Sequence, residues 1–99
     1  LFRSSACGRL RSSVFKRDFK RIYSSPRHKK DIEELLLVTI DLLVLDQVLP
    51  LKLRDHDLIG RWRGHRECHI KPDVLLIYKK PDPQLLHLAR LGSHSDLFG

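Results

Sequence analysis

Six histidines punctuate this chain, and four of them, His56, His65, His69 and His94, sit in polar company. Imidazole takes up or releases a proton near neutral pH, so a group of them suits general acid–base chemistry. His65, Glu67 and His69 are spaced two apart. In a strand such residues share one face, and Arg66 and Cys68 take the other. Asp73 follows in a turn, and His94 lies just past the last candidate strand. His94 comes near His69 and Asp73 if that strand is central or adjacent to theirs. His28, in a linker, and His87, between Leu86 and Leu88, read as structural.

Such a set fits a substrate that carries its own nucleophile. RNA does, in its 2′-hydroxyl. Its cleavage needs a base for that hydroxyl, an acid for the departing 5′-oxygen, and cations for the phosphate in flight. Histidine and aspartate supply the first two here, and arginine the third. Other chemistries find less support. His65-Arg66-Glu67-Cys68-His69 has the wrong order and the wrong secondary structure for a zinc-protease helix. No glycine-rich phosphate loop, paired-carboxylate metal site or serine nucleophile elbow is present, and no cofactor or metal is expected.

The totals agree with a polyanionic partner. Lys and Arg number 19 against 12 Asp and Glu, a net charge of +7 over 99 residues. The basic residues gather between Lys16 and Lys30 and again at Arg61, Arg63, Arg66 and Lys71. One domain spanning 1–99 is expected, with the start at 1–9 uncertain because Leu1 rather than Met opens the chain. Two cysteines make no disulfide framework, no secretory signal is visible, and the apolar stretch Leu35–Leu45 is too short to span a bilayer. A reduced, cytoplasmic protein without a membrane contact is the expectation.

The elements that must position these residues follow from periodicity. Cys7–Arg11 reads as a short first strand. With Ser12 or Ser13 as N-cap, Phe15, Phe19, Ile22 and Tyr23 make one helical face, which ends before Pro26. Asp31 opens a second helix whose core stripe is Ile32, Leu35, Leu36, Thr39, Ile40 and Leu43, widened by further leucines and valines until it is either deeply buried or covered by a partner. Leu49-Pro50 ends it. Three strands follow, Arg61–Ile70, Val74–Tyr78 and Leu85–Leu91, joined by turns at Lys71–Asp73 and Lys80–Pro83. The expected fold is α+β: two N-terminal helices packed on one face of a small, mainly antiparallel sheet, the other face exposed or binding something.

Three blocks give the sequence a relative. Arg54-Asp55-His56-Asp57-Leu58-Ile59-Gly60 resembles a "DHPLxG" loop. Gly64–Asp73 resembles a "GxRxxHxxPD" strand and turn, and Arg90–Gly99 an "RxG[ST]HxxLF" tail. In this order they are similar to the RelE/ParE toxin superfamily, most closely its YafQ branch, and Val14–Asp18 fits the first helix less specifically. The resemblance implies a microbial-RNase-like fold, an endoribonuclease cutting mRNA in the ribosomal A site of the 70S ribosome, and a cognate antitoxin in a hetero-oligomer. It places the active site on His56, His69, Asp73, His94 and Phe98. His94 would be the acid, His69 and Asp73 the base or its orienting partners, and His56 a phosphate contact. Phe98 would stack on a base, and Arg90, Arg66 and Arg63 would meet RNA. Asp57, His65 and Val74 stand where the pattern prefers proline, an aromatic and tryptophan. The N-terminal segment does not look like the family's usual first strand, which leaves its edge pairing open. The same fold also carries gyrase-directed inhibitors and non-catalytic basic modules. The histidine set argues against both.

Overall fold

Ser12 is the cap that starts helix α1 (Ser13–Tyr23) in a computed structural model of the chain that describes residues 8–99. Its Oγ accepts from the Phe15 amide at 2.9 Å and donates to the Ala89 carbonyl at 2.9 Å, so one hydroxyl caps the helix and ties it to the sheet. Phe15 and Ile22 are buried, Phe19 packs beside them and Tyr23 stays half exposed. Helix α2 (Ile32–Val44) buries Ile32, Leu36, Thr39, Ile40, Leu43 and Val44. Leu35 belongs to the expected stripe but lies at its edge, 37% exposed, and Leu37 and Val38 face outward. The end of α2 is closed by Lys80, whose Nζ donates to the Leu43 carbonyl at 3.0 Å and to Asp46 at 2.7 Å, a cation at the negative pole of the helix.

The strands β1 (Gly8–Arg11), β2 (His56–Asp57), β3 (Arg66–Lys71), β4 (Val74–Asp82) and β5 (Leu85–Gly92) form one sheet in the order β1-β5-β4-β3-β2. The meander β3-β4-β5 is antiparallel, as expected, and β4 is buried along Val74–Tyr78, as a central strand should be. The first strand pairs parallel to β5, Gly8 against Leu85 through Arg11 against Leu88, which settles the open edge; Cys7 lies outside the described residues. A short helix α3 (His94–Phe98) follows β5 and was not foreseen.

Two boundaries differ from expectation for local reasons. The strand begins at Arg66 rather than Arg61, because Gly60 (φ 71°) and Gly64 (φ 91°) are left-handed and Gly60–Trp62 forms a 3-10 turn. His65 therefore precedes the strand and does not share its face with Glu67 and His69. Its ring meets Trp62 edge-on at 5.1 Å. The turn expected at Lys80–Pro83 falls at Pro83–Gln84 instead, because β4 runs past Pro81 to Asp82 where the β4–β5 pairing is irregular.

The sheet is packed on both faces, unequally. Against the helices lie Cys68, Ile70, Leu76, Tyr78, Leu86, Leu88 and Leu91. On the other face Leu75, Ile77, Ala89 and Leu97 form a smaller cluster, edged by Leu58, Trp62 and Phe98. That face, expected to be exposed or binding something, is covered at one end by α3, while the half-buried His69 of β3 remains partly accessible.

One buried charge joins the layers. Asp18 is 2% exposed and accepts from Arg90 Nε at 2.8 Å, the Leu91 amide at 3.0 Å and Arg21 at 3.2 Å. Burial pushes its carboxyl up, but the bonds from Arg90 and Leu91 outweigh this and hold it below the ordinary range. Replacing Asp18 by Ala leaves Arg90 and a buried amide unpaired, and a loss of about 3 kcal/mol is expected in denaturant unfolding. Because the folded value is depressed, this stability is present above about pH 4 and fades as pH falls through the folded pKa. Asp18→Asn should flatten that acid limb.

Candidate active site

Pairing across β2 and β3 sets His56 directly opposite Glu67. The Glu67 carboxylate, 5% exposed as a residue, lies 3.3 Å from His56 Nε2 and 3.8 Å from His69 Nε2. His56 Nδ1 meets the Arg54 carbonyl at 2.8 Å. Both ring nitrogens of His56 thus lie beside oxygen atoms. Glu67 is the site residue that sequence reading passed over. The signal was its place two residues before His69, on the same strand face.

His94 reaches this group through the sheet. His69 pairs with Leu75 and Leu75 with Gly92, so one rung crosses β3, β4 and β5. Two strand spacings put Gly92, two residues ahead of α3, roughly 10 Å from His69. A capping box fixes the helix there: the Ser93 side chain accepts from the Asp96 amide at 3.1 Å, and Asp96 accepts from the Ser93 amide at 3.1 Å. A Cβ at Gly92 would stand 3.1 Å from Asp96 Cβ, so any side chain crowds this corner. Within α3 the His94 and Phe98 rings lie 5.0 Å apart at 44°.

Electrostatics separates the members. Burial pushes the His69 imidazole below its ordinary value; Glu67 opposes this, and Arg54, His56 and His94 add to it. Burial therefore favours the neutral form of the His69 ring, whose Nε2 faces the Glu67 carboxylate.

Other expected residues are held elsewhere. Asp73 pairs with Arg27 at 2.9 Å and with His28 at 3.5 Å, and neither a hydrogen bond nor an ion pair links it to His69 or His94. Arg66 grips Asp55 through two nitrogens, at 2.9 and 3.3 Å, and Asp57 at 2.6 Å, while the Tyr78 hydroxyl also donates to Asp55. Arg90 is bound to Asp18. Arg63 is exposed and forms no ion pair among the described residues. Cys68 is fully buried on the helix face, its thiol pushed up to about 12 by burial, so it cannot join His56 and His69. Among the described residues no group of three or more His, Cys, Asp or Glu is arranged to hold a metal ion. Among the described residues no helix is long and apolar enough to cross a membrane.

Residues 10–99 match the family of bacterial toxins of type II toxin–antitoxin systems called YafQ. The chain belongs to the YafQ toxin family. It is 39% identical over 88 residues to the mRNA interferase toxin YafQ of Escherichia coli K12, covering 89% of this chain and 91% of that protein. Its fold is similar to the crystal structure of YafQ from E. coli BL21(DE3), with a TM-score of 0.81 and 34% identity over 94% of this chain and 99% of the other. It is also similar to a copper-bound mutant toxin from Helicobacter pylori, with a TM-score of 0.83 and 37% identity over 93% and 99%. In the E. coli DinJ-YafQ complex the YafQ-like chain gives a TM-score of 0.77 at 36% identity over 94% and 99%. The resemblance read from three sequence blocks is thereby borne out, and so is the α+β fold.

NMR titration of the imidazole resonances should place the His69 pKa below 6.5. In Glu67→Gln, which removes the charge that raises it, the value should fall further.

Proposed function

We propose that this chain is the toxin of a type II pair and an mRNA interferase, an endoribonuclease that cuts mRNA in the ribosomal A site by acid–base catalysis through the RNA 2′-hydroxyl. The observation that carries the reading is the gathering of His56, Glu67 and His69 on one sheet face, one rung from His94 and Phe98. Neutral His69 takes the 2′-hydroxyl proton, oriented by Glu67. His94 gives a proton to the 5′-oxygen as it leaves. His56, exposed beside Glu67, exchanges its contact with that carboxylate for the phosphate when RNA is bound. Phe98 supports the His94 ring and offers a stacking surface for a base.

Arg66 and Arg90, whose charges are offset by carboxylates, hold the frame of the site in this reading, and Arg63 is the exposed cation for RNA. Asp73, bound to Arg27 and His28, acts on the β3–β4 turn that precedes the rung rather than on a proton. The net charge of +7 suits a protein surrounded by ribosomal RNA. An antitoxin is the expected partner, as DinJ is of E. coli YafQ, and the outward Leu37, Val38 and Leu45 give its apolar residues a place on α2. The cytoplasm, where ribosomes are, is the compartment this reading needs.

Cleavage of mRNA on programmed ribosomes at fixed magnesium tests it. His94→Ala should stay folded and lose about a hundredfold to ten-thousandfold in rate. The wild-type rate should fall with decreasing pH only below the ordinary histidine range, as His69 becomes protonated. A folded wild type that cleaves nothing points instead to a gyrase inhibitor or a non-catalytic binding module.

A further inference from the structure

Beside His69 runs a cleft of about 570 Å³ that the mechanism above leaves unused. Leu53, Ile70 and Pro72 form its apolar wall, and Lys52, Arg54 and Lys71 its cationic side. The volume is within the roughly 300–1,000 Å³ that holds small ligands. Lys71 is engaged with Asp31 at 2.9 Å, but Lys52 and Arg54 form no ion pair among the described residues. They differ in this from Arg66 and Arg90, which carboxylates hold.

Arg54 is unusual in a second way. It adopts the left-handed conformation, φ 52° and ψ 44°, which costs a non-glycine residue about 1 kcal/mol or more. A turn alone is better served by Gly or Asn at such a position. Arg54 is exposed, its carbonyl receives His56 Nδ1, and its charge acts on His69. The left-handed backbone therefore stands at the rim of the cleft, and it places an exposed arginine without an ion pair among the residues lining it together with His69.

We propose that this cleft seats the nucleotide next to the scissile phosphate of the RNA, with Arg54 and Lys52 on phosphate oxygens and Leu53, Ile70 and Pro72 against ribose and base. The assignment rests on the ribonuclease reading and refines it. Phosphate attracts the cations, and a sugar and base cover the apolar wall. Arg54, rather than Arg66 or Arg90, becomes the charge that meets the phosphate beside the base His69.

The test compares wild type, Arg54→Gln, Arg54→Lys and Lys52→Gln in single-turnover cleavage of mRNA on programmed ribosomes, against pH and salt, with thermal unfolding as the check on folding. At saturating protein, Arg54→Gln should cleave at least about tenfold more slowly, and Arg54→Lys should recover most of that loss. The groups facing His69 are Glu67, His56, His94 and Arg54. Removing the Arg54 cation should raise the His69 pKa, moving the acid limb of the rate profile to higher pH. Lys52→Gln should flatten the log–log salt dependence by about 0.7, the loss of one phosphate contact on a single strand. If Arg54→Gln keeps the wild-type saturating rate and pH profile, or weakens only ribosome binding, the cleft is overturned and the ribonuclease reading stands. A wild type that cleaves no mRNA overturns the reading itself and the cleft with it.

Discussion

The buried carboxylate of Asp18 is the tie on which the arrangement depends. It stands on the helix side of the sheet, yet it fixes the far end of β5 through Arg90 and the Leu91 amide. Arg21 extends the tie to Asp96 at 3.4 Å, and Asp96 in turn closes the capping box that starts α3. The chain thus turns sharply after Gly92 and delivers His94 to the opposite face. A second clasp does the same for His56: Asp55, its neighbour, is gripped by Arg66 of β3 and Tyr78 of β4. Two histidines on short segments are each anchored by a carboxylate one or two contacts away.

These clasps explain how charge is divided over the molecule. In a low-dielectric setting an arginine beside a buried carboxylate is a structural cross-link, and it attracts a phosphate weakly because its own field is offset. Arg66 and Arg90 are of this kind: their carboxylate partners hold both guanidiniums above the usual arginine range. Arg63, Lys52 and Arg54 carry charge without an ion pair among the described residues. Part of the positive charge that stays without a carboxylate partner thus lies beside the histidines and the cleft next to His69.

Much of this was legible in the sequence. Apolar spacing located both long helices, Ser12 announced the first cap, and the unbroken run Val74–Tyr78 identified the central strand. Alternation put Glu67 and His69 on one face. What was missed has physical causes. Asp18 lies on the helical stripe of Phe15 and Ile22, but a charge at a core position is read as surface unless its partner is known, and that partner is 72 residues away. His65 left the strand because two left-handed glycines break the extended chain ahead of it. The five residues of α3 are too few for a helical period to show, so only the Ser93–Asp96 spacing could have signalled it. The ion pairs of Asp73 to Arg27 and His28 were not legible either, because no local pattern specifies the path of the linker that carries them.

The central claim is that neutral His69 and His94 move protons to and from an RNA that attacks itself. The chemistry of the cut ends reads this directly. mRNA cleaved on ribosomes by the wild-type chain, analysed by mass spectrometry, should carry a 2′,3′-cyclic phosphate or its 3′-phosphate hydrolysis product on one fragment and a 5′-hydroxyl on the other. A 2′-deoxy substitution at the cut nucleotide should abolish the product. Fragments ending in a 5′-phosphate, or undiminished cleavage at the deoxy position, would mean that water rather than the 2′-hydroxyl is the nucleophile and would contradict the account.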